Sequence, residues 1–172
     1  MGNTVVTVIT IFIAAILMFV FPLMAISERN DDITQQAVEV SVQEFVDEAT
    51  TKGKITADSY EKLISDLNAT GNTYEVSMEV QILDENPGKK TTTTSGDLIG
   101  ENVRYSVFTT TIEQELTTKG VYNLKKGDIV IVTAKNTSQT LAQTLRNFMY
   151  KVTGSSYQIG TSASGMVINT GI

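Results

Sequence analysis

The sequence predicts an α+β protein carried on a long N-terminal helix, with a small head of helices and antiparallel strands. Three observations predict it. Val5 to Ile26, VVTVITIFIAAILMFVFPLMAI, holds no charged residue. Apolar residues then recur at helical spacing from Val38 to Ala49, with no proline or glycine between Asp32 and Thr51. Further on, Tyr74 to Leu83 alternates with period two, and helix-like and strand-like stretches follow in mixed order. That order belongs to an α+β head rather than to a bundle or a sandwich.

The first element follows from hydropathy and length. At about 1.5 Å of rise per residue, Val5 to Ile26 spans the roughly 30 Å hydrocarbon core of a bilayer. Residues 1–27 therefore read as one transmembrane helix, with Val5, Val6, Ile9, Phe12, Ile16 and Phe19 facing lipid or other helices. Pro22 removes one backbone donor and predicts a kink, which membrane helices tolerate better than soluble ones. A secretory signal is the competing reading, with Ala25-Ile26-Ser27 as a weak cleavage site. It would call for a basic start and a shorter apolar core, whereas Met1-Gly2-Asn3-Thr4 carries no Lys or Arg. Arg29 is the one nearby cation for the positive-inside rule, and the expected topology is N-terminus in the cytoplasm and head outside.

The remaining residues suffice for one domain with its own core. Glu28 to Glu48 holds seven acids and one base, whereas the residues outside that run hold 12 of each. A neutral head argues against nucleic acid as a partner, because phosphate binding needs a basic surface. The acidic run reads either as a solvated helix face or as a docking surface for a basic partner or neighbouring subunit. The chain has no cysteine, which fits an exported protein without disulfides and equally a cytosolic one.

Residues 28–53 read as an amphipathic stem continuing the membrane helix. Val38, Val42, Phe45, Val46 and Ala49 fall on one face, opposite Glu44, Asp47 and Glu48. Lys52-Gly53-Lys54 supplies the cations and the glycine of a helix C-terminus.

Residues 54–172 form the head. Thr56 reads as the N-cap of a short helix striped by Tyr60, Leu63, Ile64 and Leu67. In Tyr74–Leu83, Tyr74, Val76, Met78, Val80 and Ile82 face one way, as in a half-buried strand. Residues 84–102 form a long polar connection with an Asn86-Pro87-Gly88 turn and four consecutive threonines, Thr91 to Thr94. Val103 to Phe108 reads as a strand end or a helix entry. Thr110 to Lys119 reads as a helix stopped by Gly120. Ile129 to Ala134, apolar on both faces at first, is expected inside the sheet. Asn136-Thr137-Ser138 is expected to cap a helix over 139–151, whose Leu141, Ala142, Leu145, Phe148 and Met149 share a face. Tyr157–Ile159 and Ser164–Ile168 read as short strands around a Ser162-Ala163-Ser164-Gly165 turn.

Catalytic chemistry is poorly supplied. Without His or Cys, the commonest general base and the commonest zinc ligands are missing. Neighbouring carboxylates such as Asp31-Asp32 point about 100° apart on a helix and make poor acid–base pairs. Gly88-Lys89-Lys90-Thr91 lacks the first glycine of a phosphate loop, since Leu83 stands there. Asp84, Glu85 and Asp97 could meet a calcium ion but lack EF-hand spacing. Asn68-Ala69-Thr70 and Asn136-Thr137-Ser138 match the glycosylation triplet and serve equally well at helix ends. The chain is expected to be no enzyme, and no motif calls for a cofactor, a metal or a small-molecule substrate.

An apolar helix near Met1, a stem opening with Asp31-Asp32, and the stretches DDITQQAVEVSVQEFVDEATTKGKIT and YEKLISDLNATGNTYEV resemble the TadE-like minor pilins and pseudopilins of Tad (tight adherence, Flp-type) pilus systems. The resemblance covers the first half of the chain. It implies a structural role, with the apolar helix in the membrane before assembly and then against equivalent helices. The bilayer and other pilus subunits or assembly proteins are the partners it implies. Type IV-like prepilins carry a basic leader, a glycine before the cut and a glutamate five residues on. Here Gly2 is the candidate processing position, no basic residue precedes it, and Thr7 stands where the glutamate would be. A membrane-anchored extracellular binding module, with the threonine-rich loop contacting a ligand, is the alternative expectation.

Overall fold

The computed structural model describes residues 2–83, 104–150 and 159–171, the side chains of 148–150 excepted. It is α+β, with a small antiparallel sheet built against one very long helix. That helix, α1, runs unbroken over Gly2–Lys52 and passes through Pro22. The stretch from the apolar run into the polar stem contains nothing to stop it, and Gly53 does, in the left-handed conformation at φ 67°. Gly53 has a second constraint. A Cβ there would lie 2.2 Å from the Asn169 carbonyl oxygen, so the backbone of residues 169–171 packs directly on the helix end.

A three-residue strand β1 (Lys54–Thr56) pairs antiparallel with β4 (Val121–Asn123). Helix α2 (Ala57–Ala69) starts at Thr56, whose hydroxyl accepts from the Ser59 amide while the Thr56 amide donates to Ser59 Oγ. Serine here fills the place of the usual glutamate in a capping box. Strand β2 (Tyr74–Leu83) lies between β3 (Arg104–Phe108) and β5 (Ile129–Asn136), and β6 (Gly160–Met166) closes the order β3-β2-β5-β6. Val80 pairs with Val130 and Met78 with Val132, which puts all four on the inner, buried face. Helix α3 (Thr109–Lys119) begins directly after β3 and ends at Gly120, φ 72°. So Arg104–Phe108 is a strand, and the helix entry comes one residue later. Thr109 Oγ1 takes the Met78 amide at 2.7 Å and donates to its carbonyl at 3.1 Å, where the ladder gives out.

Three sequence expectations are corrected. The Ser162-Ala163-Ser164-Gly165 turn is part of a single strand, β6. Its glycine, Gly165, lies where α1 crosses the strand closely, while Ser162 and Ser164 are exposed. A Cβ on Gly165 would lie 3.1 Å from both Val46 Cγ1 and Thr50 Cγ2. The last helix, α4 (Leu141–Tyr150), starts later than expected. Its cap is Thr140, whose hydroxyl accepts from the Gln143 amide while Gln143 Oε1 accepts from the Thr140 amide. Asn136 instead ends β5, its Oδ1 holding the Ser138 amide at 2.8 Å. Leu141 is also not on the packed face with Ala142, since it is 56% exposed. The expectations for residues 84–102, including Asp84, Glu85, Asp97 and Thr91 to Thr94, lie outside the described residues, as do Lys151, Tyr157 and Gln158.

The core is one cluster. Val38, Val42, Phe45, Val46 and Ala49 of α1 meet Met78, Val80, Val130, Val132 and Ala134 of the sheet, with Leu63, Leu67, Ile112 and Leu116 from the short helices. Burying a valine or leucine contributes about 1.5–3 kcal/mol. Residues 38–49 of α1 are thus a main wall of the head's core.

Candidate functional site

The feature that sets this chain apart is the N-terminal half of α1. Val5, Val6, Ile9, Phe12, Ile16 and Phe19 are all exposed, and Pro22 with them. No part of the most apolar window of the helix is covered by the rest of the chain. The two threonines within the run from Val5 to Ile26 are satisfied inside the helix: Thr7 Oγ1 donates to the Asn3 carbonyl and Thr10 Oγ1 to the Val6 carbonyl, each at 2.8 Å. A polar side chain that closes on its own helix leaves no donor for the surroundings, as an apolar medium requires. The helix is compatible, in length and composition, with a single-pass membrane anchor. Gly2 lies at its exposed start, with open space around its Cα.

The junction with the head is polar and specific. Ser27 is the first buried residue of α1, its hydroxyl on the Leu23 carbonyl at 2.8 Å. Asp31 is 8% exposed and accepts from Thr140 Oγ1 at 2.7 Å. One turn earlier, Glu28 meets Arg146 of α4 at 2.7 Å. Further along, the Gln35 side-chain amide donates to the Gly160 carbonyl at 2.9 Å and accepts its amide at 3.0 Å, completing both backbone groups of that residue. The acidic run therefore has two parts. Glu28 and Asp31 hold the head, while Asp32, Glu39, Glu44 and Asp47 face solvent. Leu23, Ile26, Leu141, Gly71 and Asn72 line a shallow groove at this end.

Elsewhere the titratable groups serve the fold. Burial, and then the hydrogen bond to Glu113 at 2.6 Å, push the Tyr60 phenol well above its ordinary range. Burial, with Glu115 and Asp128 nearby, pushes Tyr122 up to about 12. Hydrogen bonds from Ser106 and then Gln81 hold the Glu79 carboxyl below its usual value. Among the described residues no group of three His, Cys, Asp or Glu side chains could hold a metal ion. Asn136, the acceptor of one glycosylation triplet, is 1% exposed inside the fold. At the other triplet, Thr70 Oγ1 donates to the Leu67 carbonyl at the end of α2.

Sequence reasoning missed the fastening residues Glu28, Asp31, Gln35, Thr140 and Arg146. Only the Thr140-Leu141-Ala142-Gln143 pattern carried a readable local signal, that of a capping box. The others act across more than one hundred residues of chain, beyond any local pattern. Comparison with family models, with curated proteins and with solved structures gives no match.

Proposed function

We propose that the chain is a membrane-anchored, pilin-like structural or assembly component of a Tad or type IV-like surface pilus, and that it works without catalysis. In this reading the N-terminus is cytoplasmic, the head lies outside, and the apolar half of α1 passes from lipid to contacts with other subunits. The observation that carries the reading is the continuity of α1. One helix supplies both the exposed apolar segment and a wall of the head's core, with no linker between them. A tether needs only hydrophobic length. A subunit whose helices pack together also needs its head held at a fixed rotation about the helix, and the Glu28, Asp31 and Gln35 contacts supply that.

Helix replacement tests the reading against a merely anchored binding module. Residues 1–26 are exchanged for an unrelated membrane helix of equal length, and Val6, Ile9 and Phe12 are separately changed to Asp. The pilin reading expects the exchanged chain to reach the membrane and fail to assemble, and the Asp variants to fail at insertion. Full function with the exchanged helix would leave only the anchored-module reading.

A further inference from the structure

Between Ser27 and Lys52 the face of α1 turned from the head should be polar throughout. It is not. The apolar residues that α1 exposes there are Ile33, Ala37 and Val40, at steps of four and three. Ile33 is 58% and Val40 56% exposed. The same steps continue without a break toward the N-terminus through Asn30, Ile26, Leu23, Phe19, Ile16, Phe12, Ile9 and Val5, all exposed. Alternating steps of four and three are the a/d seam of a coiled coil. Inside the apolar run any spacing would find an apolar residue. Outside it, over Ile26 to Val40, the pattern is selective, because the exposed positions off the seam there are Arg29, Asp32, Gln36 and Glu39, all polar.

We propose that this seam packs against the same seam of a second copy of the chain, in parallel and in register, as a left-handed two-stranded coil that begins in the apolar half and ends at Val40. Four observations select that occupant. Two copies inserted in one membrane with the same topology run parallel, a point that rests on the anchor reading above. Asn30 falls at an a position, where a lone asparagine pairs with its symmetry mate and specifies register and chain number. Asp32 and Glu39 lie off the seam, so the acidic run does not oppose pairing. The seam also stops where a partner must stop: its next positions are Glu44 and Asp47, and α2 lies beside α1 there, with Lys62 at 3.7 Å from Glu44. A strict heptad drifts about 20° per repeat on a straight helix, so keeping the seam closed requires the left-handed supercoil.

The chain has no native cysteine, so single cysteines report the seam directly. Ile33→Cys and Val40→Cys, with Asp32→Cys and Glu39→Cys as off-seam controls, are expressed as full chains and oxidised in isolated membranes. All four positions are exposed, and unchanged circular dichroism confirms folding. A disulfide requires Cα atoms within about 7 Å. The expected result is a covalent dimer at 33 and 40, its loss at 32 and 39, and loss of the 33 and 40 dimers when Asn30→Lys is added. Equal cross-linking at all four positions, no dimer at 33 and 40, or dimers indifferent to Asn30→Lys would each overturn the proposal. Repeating the oxidation in detergent micelles separates the two readings. Seam-specific dimers in micelles from a chain that does not enter membranes would sink the anchor and keep the coil.

Discussion

At the scale of single residues, the junction between α1 and α4 separates two kinds of polar contact. Asp31 is buried and holds a buried hydroxyl, whereas Glu28 and Arg146 meet at the surface. Removing one partner of a buried hydrogen bond leaves the other desolvated and unpaired, at a cost of about 1–3 kcal/mol. An exposed ion pair contributes far less. Asp31→Ala should therefore destabilise the full chain in detergent by about 1–3 kcal/mol in denaturant titration. Asp31→Asn, which keeps an acceptor for Thr140, should restore most of that loss, and Glu28→Ala should stay within about 0.5 kcal/mol of the parent. Two tyrosines, the buried Tyr122 and the half-buried Tyr60, give a pH signature. Tyr60 and Tyr122 both lose protons less readily when folded than an exposed phenol at about 10. Above that pH the unfolded chain binds fewer protons than the folded one, so stability falls as pH rises, up to and beyond the value of about 12 at Tyr122. Thermal melts from about pH 9 to about pH 11, around the ordinary phenol value, should show this fall, and Tyr60→Phe with Tyr122→Phe should flatten it.

At the scale of elements, α1 packs closely across β6. Gly165 faces Val46 and Thr50, and any larger residue must displace them. Gly165→Val should cost about 1–3 kcal/mol through overpacking. Adding Val46→Ala should recover part of that, a non-additive pair readable in a double-mutant cycle. This contact also explains what the sequence conceals. Gly165 and its small neighbours have the composition of a turn, and pairing with β5 under the crossing helix makes them a strand. Strands β1 and β4 are three residues each, too short to carry a period. By contrast β2 was legible because its first nine residues alternate, and α1 because neither Gly nor Pro interrupts residues 32–51. The end of α1 was legible from Gly53, whose positive φ a glycine adopts without strain. Its fastening to the head was not, because Asp31 finds Thr140 and Gln35 finds Gly160 only once the chain has folded.

At the scale of the whole molecule, one helix does two jobs along its length. Its C-terminal half is built into the core of the head, and its N-terminal half is apolar and exposed. Such a surface has no stable place in water, since contiguous exposed apolar area of this extent marks a membrane or protein contact. The most direct measurement shears surface material from intact cells, probes sheared and membrane fractions with an antibody to the head, and reads the N-terminus by mass spectrometry. The account predicts the protein in sheared filaments with the apolar half of α1 retained, and the N-terminal reading then decides whether Gly2 is a processing position. Protein confined to the membrane fraction and absent from every filament would contradict the subunit reading, and a mature chain beginning at Ser27 would contradict the anchor itself.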